Sequence, residues 1–160
     1  MKLGAVAGHA TQKDTTFPPL VPSLPCKAWS EDQGAAVTYL HVNAEGYNTT
    51  LLKGVTGSGK TEVYLEAVAA CLRQGRQALV LLPEIALTAE FLTRVEARFG
   101  EQPAEWHSGV TMTERRRTWK MVGQGHAQMV VGARSALFLP FQDLGLIVVD
   151  EEHDTSYKQE

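Results

Sequence analysis

From Trp29 onward, apolar residues along this chain recur in two alternating rhythms. "SEDQGAAVTYLHV" (30–42) opens with Ser30 as a candidate N-cap and carries Gln33 three residues later, the spacing of a capping box, so a helix is predicted there. The β-rich run "TTLLKG" (49–54) predicts a short strand. "KTEVYLEAVAACLRQG" (60–75) repeats its apolar positions at helical spacing, with Gly75 as its stop. The pattern then predicts a buried strand over "ALVLLP" (78–83) and a helix over "LTAEFLTRVEARFG" (87–100) ending at Gly100. A short strand at "AEWHS" (104–108) and a helix at "TERRRTWKMVGQG" (113–125) follow. Two further strands are predicted at "AQMVVG" (127–132) and "LGLIVVD" (144–150). Strands that alternate with helices and are apolar on both faces predict an α/β fold, a three-layer lobe with a mainly parallel sheet from about Thr50 to Asp150.

The first 28 residues break this rhythm. Pro18, Pro19, Pro22 and Pro25 crowd "TFPPLVPSLP" (16–25), and each lacks an N–H and restrains the residue before it. Residues 1–28 are therefore expected to be a poorly packed segment, either an extended connector or a tail separated from a parent domain.

Composition narrows the class without naming a chemistry. The 160 residues are 44% hydrophobic and 21% charged, with mean hydropathy −0.15, values typical of a globular protein. No apolar run reaches the roughly 20 residues of a membrane helix, and the N-terminus is too weakly apolar for a secretory signal, so a cytoplasmic location without membrane partners is expected. Cys26 and Cys71 belong to no metal-ligand spacing and are expected to be reduced thiols. A net charge of −3 excludes a dominant basic surface but leaves room for a local nucleic-acid groove.

Chemistry enters with "GVTGSGKT" (54–61), which fits G-x-x-x-x-G-K-[ST] between a β run and a helix. In this P-loop pattern, Gly54, Val55, Thr56, Gly57, Ser58 and Gly59 turn successive backbone N–H groups toward phosphate oxygens. Lys60 is expected to bridge the β- and γ-phosphates, and Thr61 to place its hydroxyl on Mg²⁺. The strand-end acids of "LIVVDEEH" (146–153) complement that cradle. Asp150 is expected to hold Mg²⁺, and Glu151 to orient and deprotonate the attacking water. Glu152 is expected to point away from Glu151 by strand alternation. Arg115, Arg116, Arg117 and Lys120 do not form one stripe and are expected on a solvated face, while Trp29, Trp106 and Trp119 are expected to pack. His107 has no metal partner in sequence and is expected in a turn.

"DEEH" (150–153) has the D-E-x-H form of superfamily 2 helicases, whose motor lobes are RecA-like P-loop NTPases. The ordered blocks "GVTGSGKTEVYL", "LLPEIALT", "WHSGVTMTERRRTW" and "VVGARSALFLPFQDLGLIVVDEEHDTSYKQE" make residues 29–160 resemble the primosomal protein N′ (PriA) family of bacterial replication-restart helicases. That resemblance implies a truncated first motor lobe over 29–160, incomplete at its C-terminus, with residues 1–28 joining a missing N-terminal DNA-binding region. It implies a DNA-dependent ATPase and 3′-to-5′ DNA helicase with ATP and Mg²⁺ as cofactors. The family's zinc-binding cysteines and its second lobe, with the arginines that complete the ATP site, are not in this sequence. For Gln33 the resemblance implies contact with the adenine edge, a role compatible with capping. It implies DNA contacts by Thr88, Arg134 and Ser135, and coupling of nucleotide and DNA sites by His153. "SYKQE" (156–160) resembles the start of the family's aromatic-rich loop. Single-stranded or forked DNA, primosome proteins and single-strand-binding proteins are the implied partners. The competing expectation is a truncated module that binds nucleotide or DNA without turnover.

Overall fold

The structure is a computed structural model that describes residues 17–25, 28–55 and 57–151. Thr56, Cys26, Glu152, His153 and the "SYKQE" segment lie outside the described residues.

Helix α1 (Glu31–Val42) starts as its capping box predicts: Gln33 N donates to Ser30 Oγ, and Ser30 N donates to Gln33 Oε1. Helix α2 (Lys60–Arg73) is followed by Gly75 at φ 75°, and leads into strand β1 (Gln77–Leu81). Thr88 caps α3 (Ala89–Phe99), which stops at Gly100 in the left-handed region. After β2 (Ala104–Trp106), Thr111 and Glu114 form a second capping box for α4 (Met112–Gly123). Strands β3 (Met129–Gly132) and β4 (Leu144–Val149) complete the sheet. Short 3-10 turns at Glu84–Ala86 and Arg134–Phe138 follow β1 and β3; the apolar pattern does not distinguish them from loops.

The sheet runs β2-β3-β1-β4 with every pairing parallel. Alternation along β1 divides its side chains between two cores. Ala78 and Val80 face α2 and α3, joining Leu65, Val68, Val95 and Phe99, while Leu79 and Leu81 face Met121 and Val122 of α4. Two covered faces give the three layers the sequence predicts. Gly132 is required where β3 meets β2, because a Cβ there would lie 2.3 Å from the Trp106 carbonyl oxygen. Buried Gln77 clips the far end of the sheet. Its Nε2 donates to the Val122 and Ala127 carbonyls, and its Oε1 accepts from Gln142 N and Asp143 N.

Four expectations need correction. The "TTLLKG" run forms no strand: residues 49–54 carry no ladder, and Leu51 is exposed. β-propensity proposes a strand, but only a sheet partner makes one, and β4 pairs on one side with β1. β4 is also not covered on both faces. Ile147 and Val149 stand opposite Leu79 and Leu81, yet the cover given by α4 and the 134–138 turn ends at β1, and both side chains remain exposed. The strand stops at Val149 and Glu151 takes φ 52°; the expectation for Glu152 lies outside the described residues.

The described part of the proline-rich segment, finally, is packed. Leu20 is buried, Leu20 N donates to Gln128 Oε1 at 2.8 Å, and Val21 N donates to the Phe99 carbonyl at 2.8 Å. Arg98 donates to the carbonyls of Leu24 and Pro22, and the Arg117 guanidinium lies 4.2 Å from the centre of the Phe17 ring. Prolines bar these residues from helix and sheet, but their carbonyls remain strong acceptors for side-chain cations. Arg115 is likewise more than a solvated charge, donating to the His107 carbonyl at 2.8 Å and lying over the Trp106 ring. The packing role of Trp106 holds, with Trp119 6.3 Å away ring to ring.

Candidate functional site

The stretch from Gly54 to Thr61 turns on two glycines in the left-handed region, Gly57 at φ 80° and Gly59 at φ 78°. Gly59 is the N-cap of α2 and has no side chain to satisfy the helix's first N–H groups, which stay available to an anion. A Cβ on Gly54 would fall 2.5 Å from Ser58 Oγ, so a side chain there would have to displace the Ser58 hydroxyl. Lys60 folds back over the loop, its Nζ donating to the Gly54 carbonyl at 2.6 Å and the Val55 carbonyl at 3.2 Å. Ser58 N closes the turn on the same Val55 carbonyl. Gln33 reaches across from α1, with Nε2 donating to the Gly59 carbonyl at 3.3 Å. Its capping role is present, and the same side chain tethers α1 to the cradle.

Opposite stands the end of β4. Asp150 N donates to the Leu81 carbonyl, which holds the residue at the sheet's carboxyl edge. Both carboxylate oxygens of Asp150 accept hydrogen bonds: Oδ2 from the Tyr64 hydroxyl at 3.0 Å and Oδ1 from Glu151 N at 2.9 Å. Burial, and then the Asp150 charge, push the Tyr64 phenol far above its ordinary pKa, so it remains a neutral donor. The left-handed backbone of Glu151 is uncommon for a residue with a side chain, and such conformations concentrate at functional sites.

Cradle and acids line one cavity of about 1560 Å³, which includes Gln33, Gly54, Lys60, Thr61, Asp150 and Glu151. The residues present suit a Mg²⁺-bound nucleotide: free helix N–H donors and Lys60 for phosphate, and hydroxyl and carboxylate oxygens from Thr61 and Asp150 for a hard cation. Thr88, Arg134 and Ser135 do not line that cavity. They follow β1 and β3 on the sheet's carboxyl edge; Thr88 Oγ1 accepts from Phe91 N as a helix cap, and Ser135 is exposed.

Two elements of this edge were not legible in sequence. Glu84, after β1, accepts from both Ser108 N at 3.0 Å and Ser108 Oγ at 2.6 Å, stitching the loops that follow β1 and β2. Those bonds hold its carboxyl below the usual range. Tyr64 could be read only as an apolar position of α2, and no spacing rule signals its partner 86 residues away. His107 pairs with Glu105 at 3.0 Å, and among the described residues no cluster of three or more His, Cys, Asp or Glu gathers as a metal site. No helix among them is long and apolar enough to cross a membrane.

The sequence profile of the DEAD/DEAH box helicases matches residues 30–160. The chain belongs to that helicase family. Membership carries with it, in general terms, the use of ATP and Mg²⁺. Among its relatives this helicase-family chain is 50% identical to the replication restart protein PriA of Rickettsia conorii over 131 residues, 82% of the chain and 20% of that protein. It is 47% identical to PriA of Bacillus subtilis over 119 residues, 74% of the chain and 15% of that protein. With PriA of Chlamydia pneumoniae it shares 41% over 147 residues, 91% of the chain and 19% of that protein. The resemblance seen in the sequence blocks is thus borne out, and the chain spans a fifth or less of the length of these relatives.

Proposed function

We propose that this chain is the nucleotide-binding part of a DNA-dependent ATPase, a 3′-to-5′ DNA helicase that restarts replication. The observation that carries the reading is the shared cavity, in which the uncapped start of α2 and Lys60 meet the acids that end β4. Lys60 leaves the Gly54 and Val55 carbonyls to bind the β- and γ-phosphates, and the N–H groups of the 54–61 loop bind beside it. Thr61 and Asp150 hold Mg²⁺, which supplies charge that offsets the phosphates. Glu151 accepts the proton of the attacking water at its carboxylate, and Gln33 contacts the adenine edge. Thr88, Arg134 and Ser135 donate to the backbone of single-stranded or forked DNA on the carboxyl edge, and His153 couples the two sites. Primosome and single-strand-binding proteins are the proposed partners, in the cytoplasm.

The second reading is passive binding, in which the chain takes up nucleotide or DNA without turnover. Steady-state ATPase with and without single-stranded DNA separates the two, measured on this chain and on a chain extended to the length of its relatives. Stimulated turnover in the longer chain supports the helicase reading, and none in either supports the passive one. Binding of a fluorescent ATP analogue tests the cradle itself. Lys60→Ala should weaken it about 10- to 100-fold, the worth of a hydrogen bond to a charged group. Equal binding by wild type and Lys60→Ala would refute the site.

A further inference from the structure

Tyr64 sits one helical turn beyond Thr61 on α2, so the two side chains share a face of the helix. Its ring belongs to the core formed by α2, α3 and β1, with 6% of the residue exposed. Packing alone would be served by phenylalanine. The hydroxyl instead leaves the core at its polar end, donates to Asp150 Oδ2 at 3.0 Å and lies within reach of the Thr61 side chain. A phenol anchored this way holds one carboxylate oxygen of Asp150 from the helix face that also carries Thr61. Asp150 accepts from the Tyr64 hydroxyl at Oδ2 and from Glu151 N at Oδ1, and it lines the same cavity as Thr61.

We propose that Tyr64 is a positioning residue for the metal site: its core-held hydroxyl sets the rotamer of Asp150 and the spacing between Asp150 and Thr61 before nucleotide and Mg²⁺ arrive. The inference rests on the nucleotide-site reading above and adds a residue to it. Partners behind metal-binding groups act by fixing orientation, and their loss costs about 10- to 100-fold in metal affinity. Asp150 keeps its bond from Glu151 N when the hydroxyl is removed, so the lower end of that range applies.

The test compares wild type with Tyr64→Phe in the full chain, using a fluorescent, non-hydrolysable ATP analogue. Binding in excess chelator reports the cradle, and the Mg²⁺ concentration at half-maximal enhancement reports the metal site. Tyr64→Phe should bind the analogue as wild type does in chelator and need about 10-fold more Mg²⁺. Equal Mg²⁺ midpoints with intact analogue binding overturn the role of Tyr64 and leave the cradle standing. No binding by wild type under either condition sinks the cradle and this role together. If Tyr64→Phe does not fold, fluorine NMR decides, with 3-fluorotyrosine in a chain whose Tyr39, Tyr47 and Tyr157 are replaced by Phe. Adding Mg²⁺ to its nucleotide complex should move the single remaining resonance, and an unmoved line overturns the proposal.

Discussion

Arg98→Met should destabilise this lobe by about 3 kcal/mol, the low end of the cost of breaking a buried ion pair. Glu66 on α2 and Arg98 on α3 are both buried and bonded through Arg98 Nε and Glu66 Oε1. The same guanidinium donates to the Leu24 carbonyl at 3.1 Å and the Pro22 carbonyl at 3.2 Å, fastening the proline-rich segment to α3. Methionine keeps most of the apolar stem and removes every donor. The Glu66 carboxylate is then left in the core, offset by Arg73, which lies 3.8 Å away with a half-exposed side chain. That partial offset is why the low end applies. With a urea slope of about 1.5 kcal/mol per molar, the unfolding midpoint should fall by about 2 M. The double variant Glu66→Leu/Arg98→Met removes both charges and should recover to within about 1 kcal/mol of wild type. Urea titration followed by circular dichroism measures all three. A loss below about 1 kcal/mol for Arg98→Met, or a double variant no better than the single, would refute a buried, mutually dependent pair.

Three further outcomes follow from the site and the sheet. In a chain extended to the length of its relatives, Glu151→Gln should retain nucleotide binding and nearly abolish hydrolysis, because an amide can hold a water but cannot take its proton; single-turnover hydrolysis checks this. Gly132→Ala should cost about 1–3 kcal/mol, since its Cβ would meet the Trp106 carbonyl oxygen and force β2 from β3; an unchanged thermal midpoint would contradict the register. Burial pushes the Cys71 thiol up to about 11. The unfolded thiol ionises near its ordinary value, 9.0, while the folded one stays neutral. Its stabilising contribution is therefore complete below that value and is lost as pH rises toward about 11. Urea midpoints at about pH 8 and about pH 10.5 should fall further in wild type than in Cys71→Ala.

Local chemistry explains why much of this lobe is legible in the sequence. The capping box at Ser30 and Gln33, the stops at Gly75 and Gly100, and the glycines of "GVTGSGKT" act within a few residues, so sequence carries the whole cause. Both apolar faces of "ALVLLP" announce a strand with cover on two sides, and β1 has it. "TTLLKG" shows the limit. Its propensity is as β-like as that of its neighbours, yet a strand exists only where another strand pairs with it, and no local residue supplies that information.

The sequence by itself determined the helices with their caps, the parallel α/β plan, the phosphate loop and the acids at a strand end. These depend on backbone conformation and side-chain periodicity over short spans. Tertiary structure alone decided which distant groups meet. It set the hydroxyl of Tyr64 on Asp150, the carboxylate of Glu84 on Ser108, and Arg98 between Glu66 and the carbonyls of a segment that prolines had marked as unstructured. Each of those contacts spans 24 or more residues of sequence. A donor's chemistry can be read from its own residue type, but its acceptor is chosen only when packed elements bring the two within about 3 Å.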